Sequence, residues 1–164
     1  MRIKAKFEKV SFEQYAKDFE MDQDVKEVYD NIKLPYRATK GSAGYDFYSP
    51  IDFTLQPGET IKIPTGIRVK MEDDFVLILC PRSGLGFKYR LQLNNTIGVI
   101  DSDYYYSSNE GHMFAKITND SNEGKVISLK AGEAFMQGIF LEYGIVEDDD
   151  SSAIRDGGFG STSK

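Results

Sequence analysis

The pattern of apolar positions divides the chain into a helical segment followed by a longer segment of short strands. Residues 2–10, RIKAKFEKV, alternate polar and apolar side chains and predict a strand. Residues 11–33 then carry large apolar side chains at helical spacing, at Phe12, Tyr15, Phe19, Val25, Val28, Tyr29 and Ile32. Ser11 begins a capping-box pattern and Pro35 ends the segment. We therefore expect one interrupted helix or two short helices over residues 11–33.

From Gly41 onward the pattern changes to short β segments separated by Gly, Pro, Asn and Asp. The candidate strands are YDFYS, IDFTL, ETIKIP, GIRVKM, FVLILC, YRLQL, GVID, HMFAKITN, KVISLK and FMQGIFLEYGIV. About ten strands with no helix between them predict a mainly β fold, as an antiparallel sandwich, jelly roll or barrel. The chain ends with EDDDSSAIRDGGFGSTSK, which is first acidic and then rich in Gly and Ser. This composition predicts a flexible C-terminal arm over residues 151–164 after a single domain over residues 1–150.

Composition narrows the possible functions. The 164 residues suit one core, and a net charge of −6 argues against a general nucleic-acid binder, which would show a basic patch. Cys80 is the only cysteine, so no internal disulfide forms, and its place in FVLILC predicts a buried strand thiol. No run of about 18 apolar residues and no apolar leader occur, so we expect a cytoplasmic protein with no membrane contact.

Four loop-like stretches combine the residues that bind anions or do chemistry: TKGSAGYD, PRSGLGFK, NNTIGVIDSDY and RDGGFGST. Arg82, Ser83 and Gly84 join a guanidinium, a hydroxyl and a flexible backbone, which suit phosphate oxygens. The stretch RDGGFGST offers the same three parts, with the guanidinium of Arg155, and Phe159 adds an aromatic face for stacking. A lone His112 cannot build a zinc site, and we expect it to be a strand residue hydrogen-bonded at the sheet.

Taken in order, these stretches resemble the motifs of the trimeric dUTPase (deoxyuridine triphosphate nucleotidohydrolase) family over roughly residues 34–164. GSAGYD matches the first motif, PRSGLGFK the second, NNTIGVIDSDY the third, GEAFMQGIF the fourth and RDGGFGST the fifth. The form found in Gram-positive bacteria and their phages is the most similar. The resemblance implies a jelly-roll or distorted-barrel subunit and a homotrimer with active sites at subunit interfaces. It also implies Mg²⁺-dependent hydrolysis of dUTP to dUMP and diphosphate, which limits uracil in DNA and supplies dUMP.

The resemblance assigns roles to individual residues. Asp101 is the expected general base that activates the water attacking the α-phosphorus. Asp46 is expected either to act through metal-bound water or to hold the geometry of the pocket. Tyr104 is expected against the deoxyribose, where a 2′-hydroxyl would clash. Asp103 is expected to brace the turn. The other positions implied to contact or order the substrate are Arg82, Ser83, Gly84, Asn95, Ile97, Gly98, Val99, Gln137, Arg155, Phe159, Gly160, Ser161 and Thr162.

The hairpin that begins at Asn95 could select uracil over the other pyrimidines. Its backbone N–H and C=O groups can imitate a base-pairing partner for uracil, and close approach at Gly98 leaves little room for the thymine methyl. Cytosine presents the wrong order of donors and acceptors and would leave buried polar groups unpaired.

Three departures from the family pattern leave other functions open. Ala134 replaces an arginine of the fourth motif, Tyr105–Glu110 replaces the usual end of the third, and the helical segment 11–33 has no counterpart in the common short form. One alternative is dCTP deaminase, which shares the fold. The other is a nucleotide-sensing or regulatory module that binds a partner protein through the 11–33 segment or the Tyr105–Glu110 loop. A solvated amphipathic helix packed on the domain would also explain residues 11–33.

Overall fold

The computed structural model describes residues 4–158. At the N-terminal end, strand β1 (Ala5–Lys9) leads into two short helices, α1 (Phe12–Asp18) and α2 (Val25–Asp30). The expected cap is present, because the Ser11 hydroxyl accepts a hydrogen bond from the Gln14 N–H at 3.1 Å. The prediction of a strand followed by two short helices is confirmed.

All ten predicted strands form, most of them shorter than the sequence pattern. They are β2 (Tyr45–Tyr48), β3 (Phe53–Leu55), β4 (Thr60–Pro64), β5 (Ile67–Met71), β6 (Phe75–Pro81), β7 (Leu91–Leu93), β8 (Gly98–Ile100), β9 (Phe114–Asn119), β10 (Ile127–Leu129) and β11 (Ala134–Glu142). Every pairing among them is antiparallel. The largest sheet has the order β2-β11-β6-β8, a second has the order β4-β9-β7, and β1-β5 and β3-β10 form separate pairs. The fold is therefore mainly β, with open sheets over residues 4–158 rather than a closed barrel.

One expectation about the fold is wrong, since a helix does interrupt the strands. Helix α3 (Ser83–Tyr89) follows β6 and ends at Arg90, whose φ of 54° places it in the left-handed region. The Arg90 N–H closes the last turn by donating to the Gly86 carbonyl at 2.9 Å. The two glycines of SGLGFKY conceal the helical periodicity, and the tyrosine of the predicted strand YRLQL belongs to the helix.

The helical segment packs into the core rather than standing off it. Tyr15 of α1 is fully buried, and its hydroxyl donates to the Pro64 carbonyl at 3.3 Å. Gly66 has a φ of +74° and lies so close to Ile32 and Tyr15 that a Cβ there would overlap Ile32. Only glycine combines a favourable positive φ with the absence of a Cβ. The amphipathic-helix interpretation of residues 11–33 therefore agrees with the structure, in which α1 contributes to the same core as the sheets.

The register of the largest sheet fixes where the motif residues lie. Gln137 of β11 pairs with Asp46 of β2 on one side and with Cys80 of β6 on the other. On the far edge of β6, Gly98 of β8 pairs with Leu79. Cys80 is half-buried, a less enclosed position than its strand pattern predicts. The first, second and fourth motifs thus meet at one end of β6, and the third lies along its outer edge.

Candidate active site

The motif residues form two separate groups. The first group, which we call the phosphate patch, consists of Asp46, Arg82, Ser83, Gly84 and Gln137. Within it the Arg82 guanidinium lies 3.3 Å from the Asp46 carboxylate, measured from Nε to Oδ1. Gly44 carries no side chain where a Cβ would overlap the amide of Gln137, so that amide packs directly on the first motif. The patch combines a cation, a carboxylate and an amide at the end of β6.

The start of helix α3 completes the phosphate patch. Ser83 and Gly84 form its first turn, and both are exposed, as is Arg82. A hydroxyl, backbone N–H groups and a guanidinium are thereby presented to solvent at one place, a set that suits phosphate oxygens. The sequence placed these three residues together correctly, although it did not predict that a helix would present them.

The second group surrounds a cavity of about 320 Å³, which we call the hairpin pocket. The residues of the third and fifth motifs that line it are Asn95, Ile97, Gly98, Val99, Asp101, Tyr104, Arg155 and Gly158. Ile97 and Val99 are exposed, whereas Gly98 is buried, and a Cβ on Gly98 would lie 2.9 Å from the Leu79 Cβ. The packing beneath the hairpin is therefore a structural reason for glycine at this position.

Arg155 bridges the two carboxylates of the third motif. One of its amino groups donates to Asp101, and its Nε donates to Asp103 at 2.7 Å. The guanidinium is largely buried by this contact, whereas both carboxylates stay about half exposed. Asp103 was expected to brace the turn. In the structure its carboxylate accepts a hydrogen bond from Arg155 of the C-terminal arm. Arg155 was expected over the terminal phosphates, and in the structure its guanidinium lies against Asp101, the expected base.

Tyr104 forms a fixed wall of the hairpin pocket. It is 6% exposed, its hydroxyl donates to the His112 carbonyl at 2.6 Å, and it accepts a hydrogen bond from the Asn109 amide at 2.8 Å. Burial raises the pKa of this phenol, which the Asn109 hydrogen bond partly opposes. Gly158 lies against the ring, where a Cβ would come within 2.6 Å of Tyr104 Cε2. The residues expected in the rest of the arm, Phe159, Gly160, Ser161 and Thr162, lie outside the described residues.

The two groups lie at different levels of strand β6. Ile100 of β8 pairs with Leu77 of β6, so Asp101 lies beside the early part of β6, whereas Arg82 follows its last residue. With about 3.3 Å per residue, the distance along β6 between these two levels is roughly 20 Å. The hairpin pocket and the cavity beside Arg82 share no lining residue.

His112 and its partners are the site residues that sequence reasoning missed. His112 was expected in a strand, but it lies in the loop before β9, is fully buried and is held by two side-chain hydrogen bonds. Its Nε2 accepts from the Gly66 N–H at 2.8 Å, and its Nδ1 lies 2.7 Å from an Asp18 carboxylate oxygen. Burial lowers the pKa of His112, while Asp18 opposes that shift. No local sequence signal links Asp18 to a residue so distant along the chain.

Two features are absent from the described part of the chain. Among residues 4–158, no helix is long and apolar enough to cross a membrane. In the same residues, no group of three or more His, Cys, Asp or Glu side chains is arranged to hold a metal ion directly.

Comparison with known proteins identifies the family. The model of the dUTPase family matches residues 30–163. The deoxyuridine 5′-triphosphate nucleotidohydrolase of Lactococcus lactis subsp. lactis is 41% identical over 134 residues, covering 80% of this chain and 88% of that protein. The enzyme of the same name from Haemophilus influenzae is 39% identical over 139 residues, covering 80% and 87%.

Solved structures agree with the sequence comparison. The dUTPase of Streptococcus mutans superposes with a TM-score of 0.66 at 34% identity, covering 86% of this chain and 98% of that one. The dUTPase from phage phi11 of S. aureus, at 22% identity and a TM-score of 0.61 over 77% and 94% of the two chains, shares the fold. The fold is the jelly-roll-like fold of the dUTPase structures. The chain belongs to the dUTPase family, and its Lactococcus and Streptococcus relatives agree with the predicted Gram-positive type.

Proposed function

We infer that the protein hydrolyses dUTP to dUMP and diphosphate. The observation that carries this inference is the position of Asp101, a half-exposed carboxylate on the wall of a nucleoside-sized pocket between the 95–98 hairpin and Tyr104. A carboxylate there can orient a water molecule and accept its proton as the oxygen attacks the α-phosphorus. Family membership favours this reaction over deamination of dCTP.

The hairpin pocket supports recognition of deoxyuridine by shape and by hydrogen bonds. The turn at Thr96, whose φ is 69°, leaves the Asn95 side chain and the backbone of the hairpin on the pocket wall. We propose that these groups pair with uracil, flanked by Ile97 and Val99. Because Tyr104 is held at its hydroxyl by two hydrogen bonds, its ring cannot withdraw to admit a 2′-hydroxyl. This fixed wall supports selection of deoxyribose over ribose.

Arg155 supplies a switchable contact in this scheme. In the structure its guanidinium pairs with the carboxylates of Asp101 and Asp103. We propose that a bound triphosphate draws the guanidinium away from Asp101, which frees the carboxylate for water while Arg155 binds phosphate oxygens with its planar array of donors. Phe159, Ser161 and Thr162 would then close over the base and the terminal phosphates, as the fifth motif implies.

The separation of the two groups supports a site shared between subunits. The phosphate patch and Asp101 lie roughly 20 Å apart along β6. We therefore propose a homotrimer in which one subunit supplies the hairpin pocket and its neighbour supplies Arg82, Ser83, Gly84 and Gln137. Mixing subunits of Asp101→Asn with subunits of Arg82→Ala should make about a quarter of the sites native at both positions if the subunits assemble at random, so that fraction should regain the native KM for dUTP. Failure of dissociated and reassembled mixtures to form any sites with the native KM would contradict shared sites.

The available donors fit Mg²⁺ only in a site shared with the substrate. Since the described residues form no cage of three protein ligands, the triphosphate oxygens and water must supply most of the coordination, as is usual for this ion. Asp46 is the carboxylate of the phosphate patch, and we propose that it acts through metal-bound water. When bound, Mg²⁺ neutralises charge on the phosphate oxygens.

Release of diphosphate from dUTP, dCTP, dTTP and UTP, each with and without Mg²⁺, tests the proposed function. We expect rapid release from dUTP only, and only with the cation. Release of ammonia from dCTP would instead establish the deaminase alternative. Subcellular fractionation would test the proposed cytoplasmic location.

A regulatory role is the second candidate function, favoured by the Tyr105–Glu110 loop. Tyr106 is 71% exposed beside the hairpin pocket, and its ring packs edge-on against Tyr105 with centroids 5.0 Å apart. An exposed aromatic ring next to a substrate pocket suits a partner that reads the ligand state of the enzyme. A Tyr106→Ser variant with native turnover but lost capture of a host protein would support this role.

A further inference from the structure

The loop that carries the sugar-facing tyrosine is tied to the N-terminal segment at three places. We call residues 101–112 the tyrosine loop. Tyr105 donates its hydroxyl hydrogen to Glu8 at 2.8 Å. Glu110 accepts from the Ser11 backbone N–H at 2.8 Å and from the Ser11 hydroxyl at 2.6 Å. The third tie is the contact between His112 and Asp18.

The His112 contact has a defined direction. The Gly66 N–H donates to Nε2 of His112, so that nitrogen carries a lone pair and the ring proton resides on Nδ1. Nδ1 therefore donates to the Asp18 carboxylate at 2.7 Å. Because His112 is fully buried, loss of Asp18 would leave this N–H without a partner in the protein interior. We therefore expect the imidazole to shift toward another acceptor, and the backbone of His112 to shift with it.

The backbone of His112 also holds Tyr104. The Tyr104 hydroxyl donates to the His112 carbonyl, and Gly111, with a φ of +72°, packs so tightly that a Cβ there would lie 2.7 Å from the Tyr104 carbonyl oxygen. A shift of the backbone at His112 therefore reaches the phenol through one hydrogen bond. The chain of contacts runs from Asp18 to His112 to Tyr104.

The anchors on the N-terminal side lie outside the family match, which begins at residue 30. Glu8, Ser11 and Asp18 all hold a loop that belongs to the pocket. We propose that residues 4–18 are a positioning element for Tyr104, in which Asp18 acts through His112 to set how strictly the enzyme prefers dUTP over UTP. The proposal rests on the proposed function, since it deepens the role of the same pocket.

The test compares Asp18→Ala and Asp18→Asn with Asp30→Asn. Asp30 is a matched control because it makes an exposed ion pair with Lys26 at 2.7 Å on the neighbouring helix α2. For Asp18→Ala we expect the ratio of kcat/KM for dUTP to that for UTP to fall about tenfold, since a loosened wall no longer rejects the 2′-hydroxyl. Asp18→Asn should recover most of the ratio, because its amide oxygen can still accept from Nδ1. Asp30→Asn should match the native protein.

A merely structural role for residues 4–18 predicts a different result. It would lower the midpoint of thermal unfolding and the active fraction, and it would reduce turnover of both nucleotides equally. An unchanged dUTP-to-UTP ratio in folded Asp18→Ala would therefore overturn the proposal, as would an equal loss in the Asp30→Asn control.

Hydrogen exchange separates this proposal from the proposed function. If the native protein failed to hydrolyse dUTP, the function would be wrong, but the positioning contact could still be measured. The amides of Ser107, Glu110 and His112 all donate within the tyrosine loop. We expect them to exchange several-fold faster in Asp18→Ala and at the native rate in Asp30→Asn. Native exchange in Asp18→Ala would refute the positioning element even without an activity assay.

Discussion

The phosphate patch and the hairpin pocket differ in how far their side chains are exposed to solvent. The phosphate patch is open, and its Arg82 faces solvent beside one carboxylate. The hairpin pocket is a cavity with a buried, doubly hydrogen-bonded tyrosine and a carboxylate covered by Arg155. A charged group such as a phosphate can be bound by an exposed and mobile side chain. Steric exclusion of a methyl or a hydroxyl group requires pocket residues that are rigidly packed. Under the proposed function, this difference assigns selectivity and catalysis to the pocket and binding affinity to the patch.

Replacing the base should produce the largest effect if the pocket does the chemistry. Asp101→Asn keeps the size of the side chain but removes its capacity to accept a proton, so we expect kcat to fall about 10³-fold or more. Binding of dUTP should remain measurable by calorimetry. Asp103→Asn is the matched control, because it also pairs with Arg155 and differs only in position. If the Asp101→Asn variant hydrolysed dUTP near the native rate, the pocket would not supply the catalytic base.

Loss of the arm arginine should come next, since Arg155 contacts the pocket but forms no part of the core. For Arg155→Ala we expect kcat/KM to fall about 10- to 100-fold, with little change in thermal stability. Ile154→Ala is the neighbouring control, because Ile154 is 96% exposed. Equal losses in both variants would indicate that the arm acts through its general conformation rather than through the guanidinium.

The sequence allowed most of the fold to be predicted because strand alternation and turn residues are local signals. Its motifs also singled out Asp101, Arg82 and Tyr104 as candidate site residues, which the structure places in the hairpin pocket and the phosphate patch. Helix α3 was missed because Gly84 and Gly86 interrupt its apolar spacing, and short helices gain their stability from tertiary contacts. The Asp18–His112 pair could not be found because nothing in either local stretch indicates that residues so distant in sequence meet in the folded chain.

The charged patch should respond more mildly to mutation than the pocket. For Arg82→Ala we expect KM for dUTP to rise about tenfold with a smaller change in kcat, because a solvent-exposed cation contributes binding to ground and transition states alike. Arg90→Ala is the matched control, since Arg90 makes a comparable exposed ion pair with Asp120 at 3.0 Å. If Arg82→Ala lowered kcat as severely as Asp101→Asn, the division between an affinity patch and a catalytic pocket would be wrong.

The smallest expected effect is a pH dependence of stability that arises beside the pocket. Burial lowers the pKa of His112 below its ordinary value of 6.5, so the folded state holds the neutral imidazole while the unfolded state binds a proton more readily. Stability from this residue is therefore fully present above pH 6.5 and is lost as the pH falls from 6.5 toward the lower pKa of the folded state. Urea unfolding of the native protein at intervals between pH 7.5 and 5.5 should show this loss.

His112→Gln provides the comparison, because glutamine can fill the same space without titrating in this range. We expect its unfolding free energy to be lower throughout but flatter across the same pH interval. Carboxylates are ionised over most of this window, so the difference between the two curves isolates the histidine. Parallel curves would show that His112 titrates alike in the folded and unfolded states. The buried imidazole would then no longer be a neutral donor that fixes the wall of the pocket.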